Sequence, residues 1–260
     1  MQFDLHIGID YSGRETPTSR TPALQVYAAF DADEPQKMLT PASTEKTFKN
    51  WCRREIAEWL IAQAQKEITF IAGIDHGFSF PESYFARYGL LSWQDFLTDF
   101  SAHWPTDDEY TYVDYIRERE GGPPDRTGSN KELRLCEQWS SSAKSVFHFD
   151  VQGSVAKSTH AGIPWLRRIR SAVGQKVHFW PFDGWVPPAG KSVIAEVFPS
   201  IFRNRYQREQ RSVDQQDAYS VARWLAESDQ REILPQYFSP PLAPAERATA
   251  DLEGWILGIS

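Results

Sequence analysis

Cysteine is scarce in this chain: Cys52 and Cys136 are the two in 260 residues. That count argues against a disulfide scaffold or a zinc site and fits a reducing compartment. No stretch approaches 18 consecutive apolar residues, which argues against a membrane span. Met1-Gln2-Phe3-Asp4 opens without the basic segment and apolar run of a secretion signal, so a cytoplasmic location is expected. A positive excess is also missing. Lys and Arg number 28 against 35 Asp and Glu, leaving −7 at pH 7, unlike a general nucleic-acid binder. An enzyme with a local basic groove is still compatible with that balance. Internal repeats and low-complexity tracts are absent as well.

What is present is enough to bury a core. Hydrophobic residues make up 41% of the chain and aromatics 14%, with ten Trp, which favours one elaborated domain over 1–260. Residues 3–10 read as a strand with Phe3, Leu5, Ile7 and Ile9 on one face and Asp10 at its end. Residues 24–30 read as a second strand, then a turn at 31–35 and a short third strand at 37–39, completing an antiparallel meander. Ser43 or Thr44 is expected to cap a long helix to about Lys66, with Phe48, Trp51, Cys52, Ile56, Trp59, Leu60 and Gln63 as its buried stripe. The nearly continuous apolar run 68–75 reads as a central parallel strand ending at Asp75. From 80 to 190 a mainly helical insertion is expected: helices at 93–103, 131–142 and 164–173, loops such as Gly121-Gly122-Pro123-Pro124, and an edge strand at 177–182. A strand at 192–198 follows, then a helix at 213–227, a proline-rich loop at 235–244 and a closing helix at 245–253.

Helix 213–227 organises the rest. Ser212 and Gln215 have capping-box spacing, and Ala218, Val221, Ala222 and Leu225 form one buried face. Asp214 and Asp217 extend that face by a turn. First-turn carboxylates often serve the helix dipole on the solvent side, but these two point where helix meets sheet. Inward acids need a positive partner, and a metal ion is the nearest ordinary one. Asp10, Asp75 and Glu196 fall at carboxyl ends of strands, where open α/β sheets gather their sites. Carboxylate oxygens suit Mg2+ or Mn2+, and two such ions about 4 Å apart support phosphodiester hydrolysis. Glu196 has an alternative: support from outside the ligand set, or pairing with a nearby arginine.

The segments GIDYSG (8–13), AGIDHGFSFP (72–81), AEVFPS (195–200), DQQDAYSVA (214–222) and EGWILG (253–258) resemble the family called domain of unknown function 429. The resemblance spans most of the chain and implies a ribonuclease H-like α/β fold, a mixed β-sheet flanked by helices, and a nuclease. DQQDA also resembles the final acidic motif of RuvC-type Holliday-junction resolvases. By that likeness Asp10 matches the first-strand acid, Asp75 the central-strand acid, and Asp214 and Asp217 the helix acids. The expected core metal ligands are Asp10, Asp75 and Asp217, with Asp214 and Glu196 as helpers. The central-strand acid is Asp here where the resolvases carry Glu, and His76 follows it directly.

The expected function is therefore metal-dependent hydrolysis of nucleic acid, DNA or RNA. The alternatives are a non-catalytic nucleic-acid or protein binding module of the same fold, and an actin- or sugar-kinase-like phosphotransferase, which needs a second clamping domain. Arg203, Arg205, Arg208 and Arg211 lead into the acidic helix and read either as phosphate contacts near its positive end or as a solvated loop. Arg167, Arg168 and Arg170 read as a surface helix face or a basic patch. His76 reads as a structural histidine or a proton shuttle, and the aromatic run 180–185 as packing or base stacking.

Overall fold

Three strands open the chain in a computed structural model that describes residues 1–31, 33–44, 48–118, 125–140 and 142–260. Strand β1 (Leu5–Asp10) pairs antiparallel with β2 (Gln25–Phe30), which pairs antiparallel with the two-residue β3 (Gln36–Lys37). Helix α1 (Arg53–Gln63) then crosses to β4 (Phe70–Ile74), which lies parallel to β1. The region 80–190 holds α2 (Glu82–Tyr88), α3 (Trp93–His103), α4 (Val113–Glu118), α5 (Leu135–Trp139), α6 (Ala156–Val173) and β5 (Val177–Trp180). Last come β6 (Ser192–Val197), α7 (Val213–Gln230), α8 (Leu234–Tyr237), α9 (Pro244–Glu253) and β7 (Ile256–Leu257).

Together these build an α/β architecture around a mixed sheet of seven strands, ordered β3-β2-β1-β4-β6-β5 among the described residues. Strands β4, β5 and β7 all run parallel to β6. β5 takes its outer edge from Ser192 to Ala195 and β7 from Glu196 to Val197. Among the described residues, no helix is long and apolar enough to cross a membrane.

The period of two along each strand divides the core. Leu5, Ile7 and Ile9 of β1, Phe70, Ala72 and Ile74 of β4, and Ile194 of β6 pack with Ile56 and Leu60 of α1 and Ile163 and Leu166 of α6. On the other face, Ile71, Val193, Ala195 and Val197 meet Val221, Trp224 and Leu225 of α7. Phe3, expected with Leu5 and Ile7, precedes the strand and belongs to this second cluster. Gly8 and Gly73 are paired across β1 and β4 beneath α7. A Cβ on Gly8 would overlap the Ala218 carbonyl and stand 2.7 Å from the Ala222 nitrogen. One on Gly73 would stand 2.7 Å from methyls of Val197 and Val221. These two glycines let the helix lie close on the sheet.

Three helix boundaries differ from expectation. The helix expected from 43 or 44 starts at Arg53; Ser43 lies in a 3-10 turn at Pro41–Thr44, and Phe48 is exposed. The loop after β1 fixes the entry: Arg53 donates to the carbonyls of Ser12 (3.1 Å), Arg14 (2.7 Å) and Glu15 (2.7 Å). The helix expected over 131–142 shrinks to Leu135–Trp139, because Arg134 is extended and its side chain is committed elsewhere. The helix expected from Pro164 begins eight residues earlier, at Ala156. An internal proline frees the carbonyl four residues back, and here the buried Thr106 hydroxyl donates to that His160 oxygen at 2.9 Å. The loop expected at 121–124, Ala32 of the expected turn, residues 45–47 of the expected long helix and residue 141 of the helix expected over 131–142 lie outside the described residues.

Candidate active site

The carboxyl ends of β1 and β4 meet the first turn of α7. Asp10 shares a strand face with Gly8, and Asp75 follows β4 in phase with Gly73, so both acids project on the α7 side. The first turn of α7 is fixed by its expected capping box: the Gln215 amide N–H donates to Ser212 Oγ at 3.1 Å, and the Ser212 N–H donates to Gln215 Oε1 at 2.9 Å. That start places Asp217 inward, 5% exposed, with Asp214 one turn earlier and half-buried.

The acids act on one another. Asp10 titrates well above the ordinary carboxylate range, first because it is buried and then because Asp75, Asp217 and Asp214 add negative charge; Arg203 opposes this. Asp75 is raised by burial, then by Asp217 and Glu196, while Arg203 and a hydrogen bond shared with Asp10 pull it back. Asp10 and Asp75 thus both favour the protonated, uncharged form. The buried Asp75 Oδ1 has no hydrogen-bond partner among the described residues. Asp217 is raised by burial against the opposing hydrogen bond and charge of Arg203. Arg203 grips Asp217 with both Nε and Nη2.

Glu196 stands apart from the other acids by one residue of strand phase. Val193, Ala195 and Val197 face α7, so Glu196 faces the 80–190 region. There Arg134 donates to both its oxygens, at 2.7 and 2.6 Å, and to Glu137 at 2.9 Å. Glu196 therefore takes the arginine-paired alternative rather than a ligand's place. It still touches the site, because its Oε2 accepts the Phe78 N–H at 2.9 Å and so pins the turn that follows Asp75. The Gly77 N–H donates to Thr159 Oγ1 at 2.8 Å and anchors the same turn to α6. His76 lies between Tyr11 and Phe78, with ring centroids 4.6 and 5.1 Å away, and its ring fills the space a Cβ on Gly162 would need. Burial lowers its pKa to about 4, which suits a neutral structural ring.

The four arginines expected to bind substrate divide. Arg203 is tied to Asp217. Arg211 stacks 3.7 Å over the Tyr219 ring and donates to Gln216 at 2.8 Å. Arg205 and Arg208 are exposed, and Arg208 Nε donates to the Arg211 carbonyl at 2.7 Å. Arg167 and Arg168 are exposed on α6, while Arg170 forks onto Asp183 at 2.9 and 2.7 Å. The aromatic run at 180–185 is packing: Phe182 stacks 3.9 Å from Trp93, and Trp185 donates to Asp251 at 2.7 Å.

Sequence reasoning missed Arg53, Arg134 and Thr159, which hold the loops after β1 and β4. Apart from Glu137, three residues after Arg134, their partners lie 38 to 119 residues away, so no local spacing marks the contacts that reach these loops. The donor chemistry of Asp10, Asp75 and Asp217 fits a hard divalent cation, and the orphaned Asp75 oxygen gives such an ion a place to bind. As the side chains stand, no three His, Cys, Asp or Glu among the described residues are arranged to hold one. Neither a family model nor a curated protein nor a solved structure matches the chain.

Proposed function

We propose that the protein is a Mg2+- or Mn2+-dependent nuclease of ribonuclease H-like fold. One observation carries this reading: carboxyls from three separate elements, β1, β4 and α7, meet at the carboxyl edge of the parallel strands and raise one another's affinity for positive charge. The strand order supports it, with an antiparallel β1-β2-β3 followed by parallel β4 and β6. Asp10, Asp75 and Asp217 are the residues that would hold the cation. When bound, a pair of such ions activates water and stabilises the leaving oxygen of a phosphodiester.

The chain's own contributions follow from its geometry. Asp10 and Asp75, whose protonated forms are favoured by burial and by one another, release protons to solvent as the site fills. Asp214, at the mouth and without a hydrogen-bond partner among the described residues, orients a water or accepts its proton. Arg205 and Arg208 lie exposed on the approach to α7 and take backbone phosphates, which supplies local positive charge to an acidic protein.

The test is a cleavage assay with Mn2+ against single-stranded, duplex and branched DNA and against RNA. Cleavage should occur on at least one substrate, stop with chelator and fall to background in Asp10→Asn and Asp75→Asn. Cleavage that persists in both variants contradicts the site. No cleavage of any substrate favours the binding module.

A further inference from the structure

Asp217 is one of three carboxyls that would hold a cation, yet its two oxygens are already occupied by a guanidinium. The partners differ in freedom. Asp217 is buried within the first turns of an 18-residue helix. Arg203 sits on a one-turn 3-10 segment, Arg203–Arg205, and its side chain is 39% exposed. The Gln216 amide donates to the carbonyls of Arg203 (3.2 Å) and Tyr206 (3.0 Å), so the backbone of that segment stays anchored whichever way the guanidinium turns. Arg203 is also a cation whose charge acts on Asp10, Asp75 and Asp217 alike. It stands in the electrostatic position of an ion.

We propose that Arg203 is the resident counter-cation of the site: it holds Asp217 until a divalent cation displaces it, and then turns to a phosphate oxygen of the substrate. Cation and phosphate binding are thereby coupled, each favouring the conformation the other needs. This rests on the metal-dependent reading above, and it accounts for why Asp10, Asp75 and Asp217 do not yet form a cation-holding group as the side chains stand. A monovalent charge at the rim of several carboxyls is a weaker partner for them than a divalent ion at their centre. The guanidinium fork, once released, matches phosphate as well as it matched carboxylate. Arg205, exposed two residues on, widens the same positive approach.

The experiment is calorimetric titration of Mn2+ at pH 8 into the wild type, Arg203→Gln, Arg203→Lys and Asp217→Asn, with and without thymidine 5′-monophosphate. Losing the competing guanidinium should tighten Mn2+ binding in Arg203→Gln by about tenfold, with Arg203→Lys between it and the wild type. The nucleotide should tighten Mn2+ binding severalfold in the wild type and leave Arg203→Gln unchanged. Asp217→Asn should bind Mn2+ weakly whatever the nucleotide. If Arg203→Gln melts well below the wild type, Arg203→Lys carries the comparison. Equal Mn2+ affinity in wild type and both Arg203 variants, or a nucleotide effect that survives in Arg203→Gln, overturns the proposal while leaving the metal reading intact. No Mn2+ binding by any of the proteins overturns both.

Discussion

The raised pKa values of Asp10 and Asp75 make the fold sensitive to pH in a direction opposite to that of an ordinary paired carboxylate. Both groups have native pKa values raised by burial and by neighbouring acids. The native state therefore holds protons that the unfolded chain has released, and stability falls as pH rises from the ordinary carboxylate range, about 4, through the raised native values. Asp229 works the other way: despite its burial, hydrogen bonds from His6 and from the backbone of Gln2 and Phe3 lower its pKa, so its contribution is lost only on acidification. Comparing wild type with Asp10→Asn isolates the pair. In chelator, the melting temperature of Asp10→Asn relative to wild type should rise between pH 4.5 and pH 8; a constant or falling difference contradicts the raised pKa of these acids. The acids Asp10, Asp75, Asp214 and Asp217 were legible because strand ends and a capped amphipathic helix fix their direction locally. Glu196 lay beyond that logic. Its residue type fits a ligand as well as an arginine's partner, and its pairing rests on strand phase and on Arg134, 62 residues away.

At the scale of elements, the approach of α7 to β1 and β4 matters most, and two glycines permit it. Gly8→Ala forces a methyl into the helix backbone at Ala218 and Ala222. Overpacking of this kind costs about 1–3 kcal/mol where side chains yield, and backbone yields less. We expect Gly8→Ala to lose roughly 3 kcal/mol or more in denaturant unfolding and to weaken Mn2+ binding, because the first turn of α7 moves off the strands. A variant as stable as wild type would show that the contact is looser than described. The start of α7 was legible from Ser212 and Gln215, and the interior of β4 from its apolar run. The ends of α1, α5 and α6 were not. A loop clamped by Arg53, an arginine drawn into a buried ion network and a carbonyl rescued by Thr106 are tertiary facts, and each overrides local propensity.

Across the whole molecule, the 80–190 region is joined to the sheet by a buried charge network as well as by apolar packing. Arg134 holds Glu196 on β6 and Glu137 on α5, and the carboxylate of Glu253 on α9 accepts the N–H of Glu82 at 2.6 Å. Removing one partner of a buried pair leaves the other charge uncompensated, at about 3–5 kcal/mol. Arg134→Met should therefore destabilise by about that much, and adding Glu196→Gln should recover part of it. A double variant no better than the single one contradicts the pairing. Filling the acidic site should act in the opposite sense. With Mn2+ at ten times its dissociation constant the native state gains about 1.4 kcal/mol, a rise of roughly 3–5 °C in melting temperature. That gain should be small in Asp217→Asn.

On this reading Asp10, Asp75 and Asp217 hold a divalent cation once Arg203 lets go. Anomalous diffraction from crystals soaked in Mn2+ at pH 8 tests it most directly. The expected result is an anomalous peak bound by the carboxylates of Asp10, Asp75 and Asp217, with the Arg203 guanidinium turned away. The absence of a peak at millimolar Mn2+, with Arg203 still seated on Asp217, would contradict it.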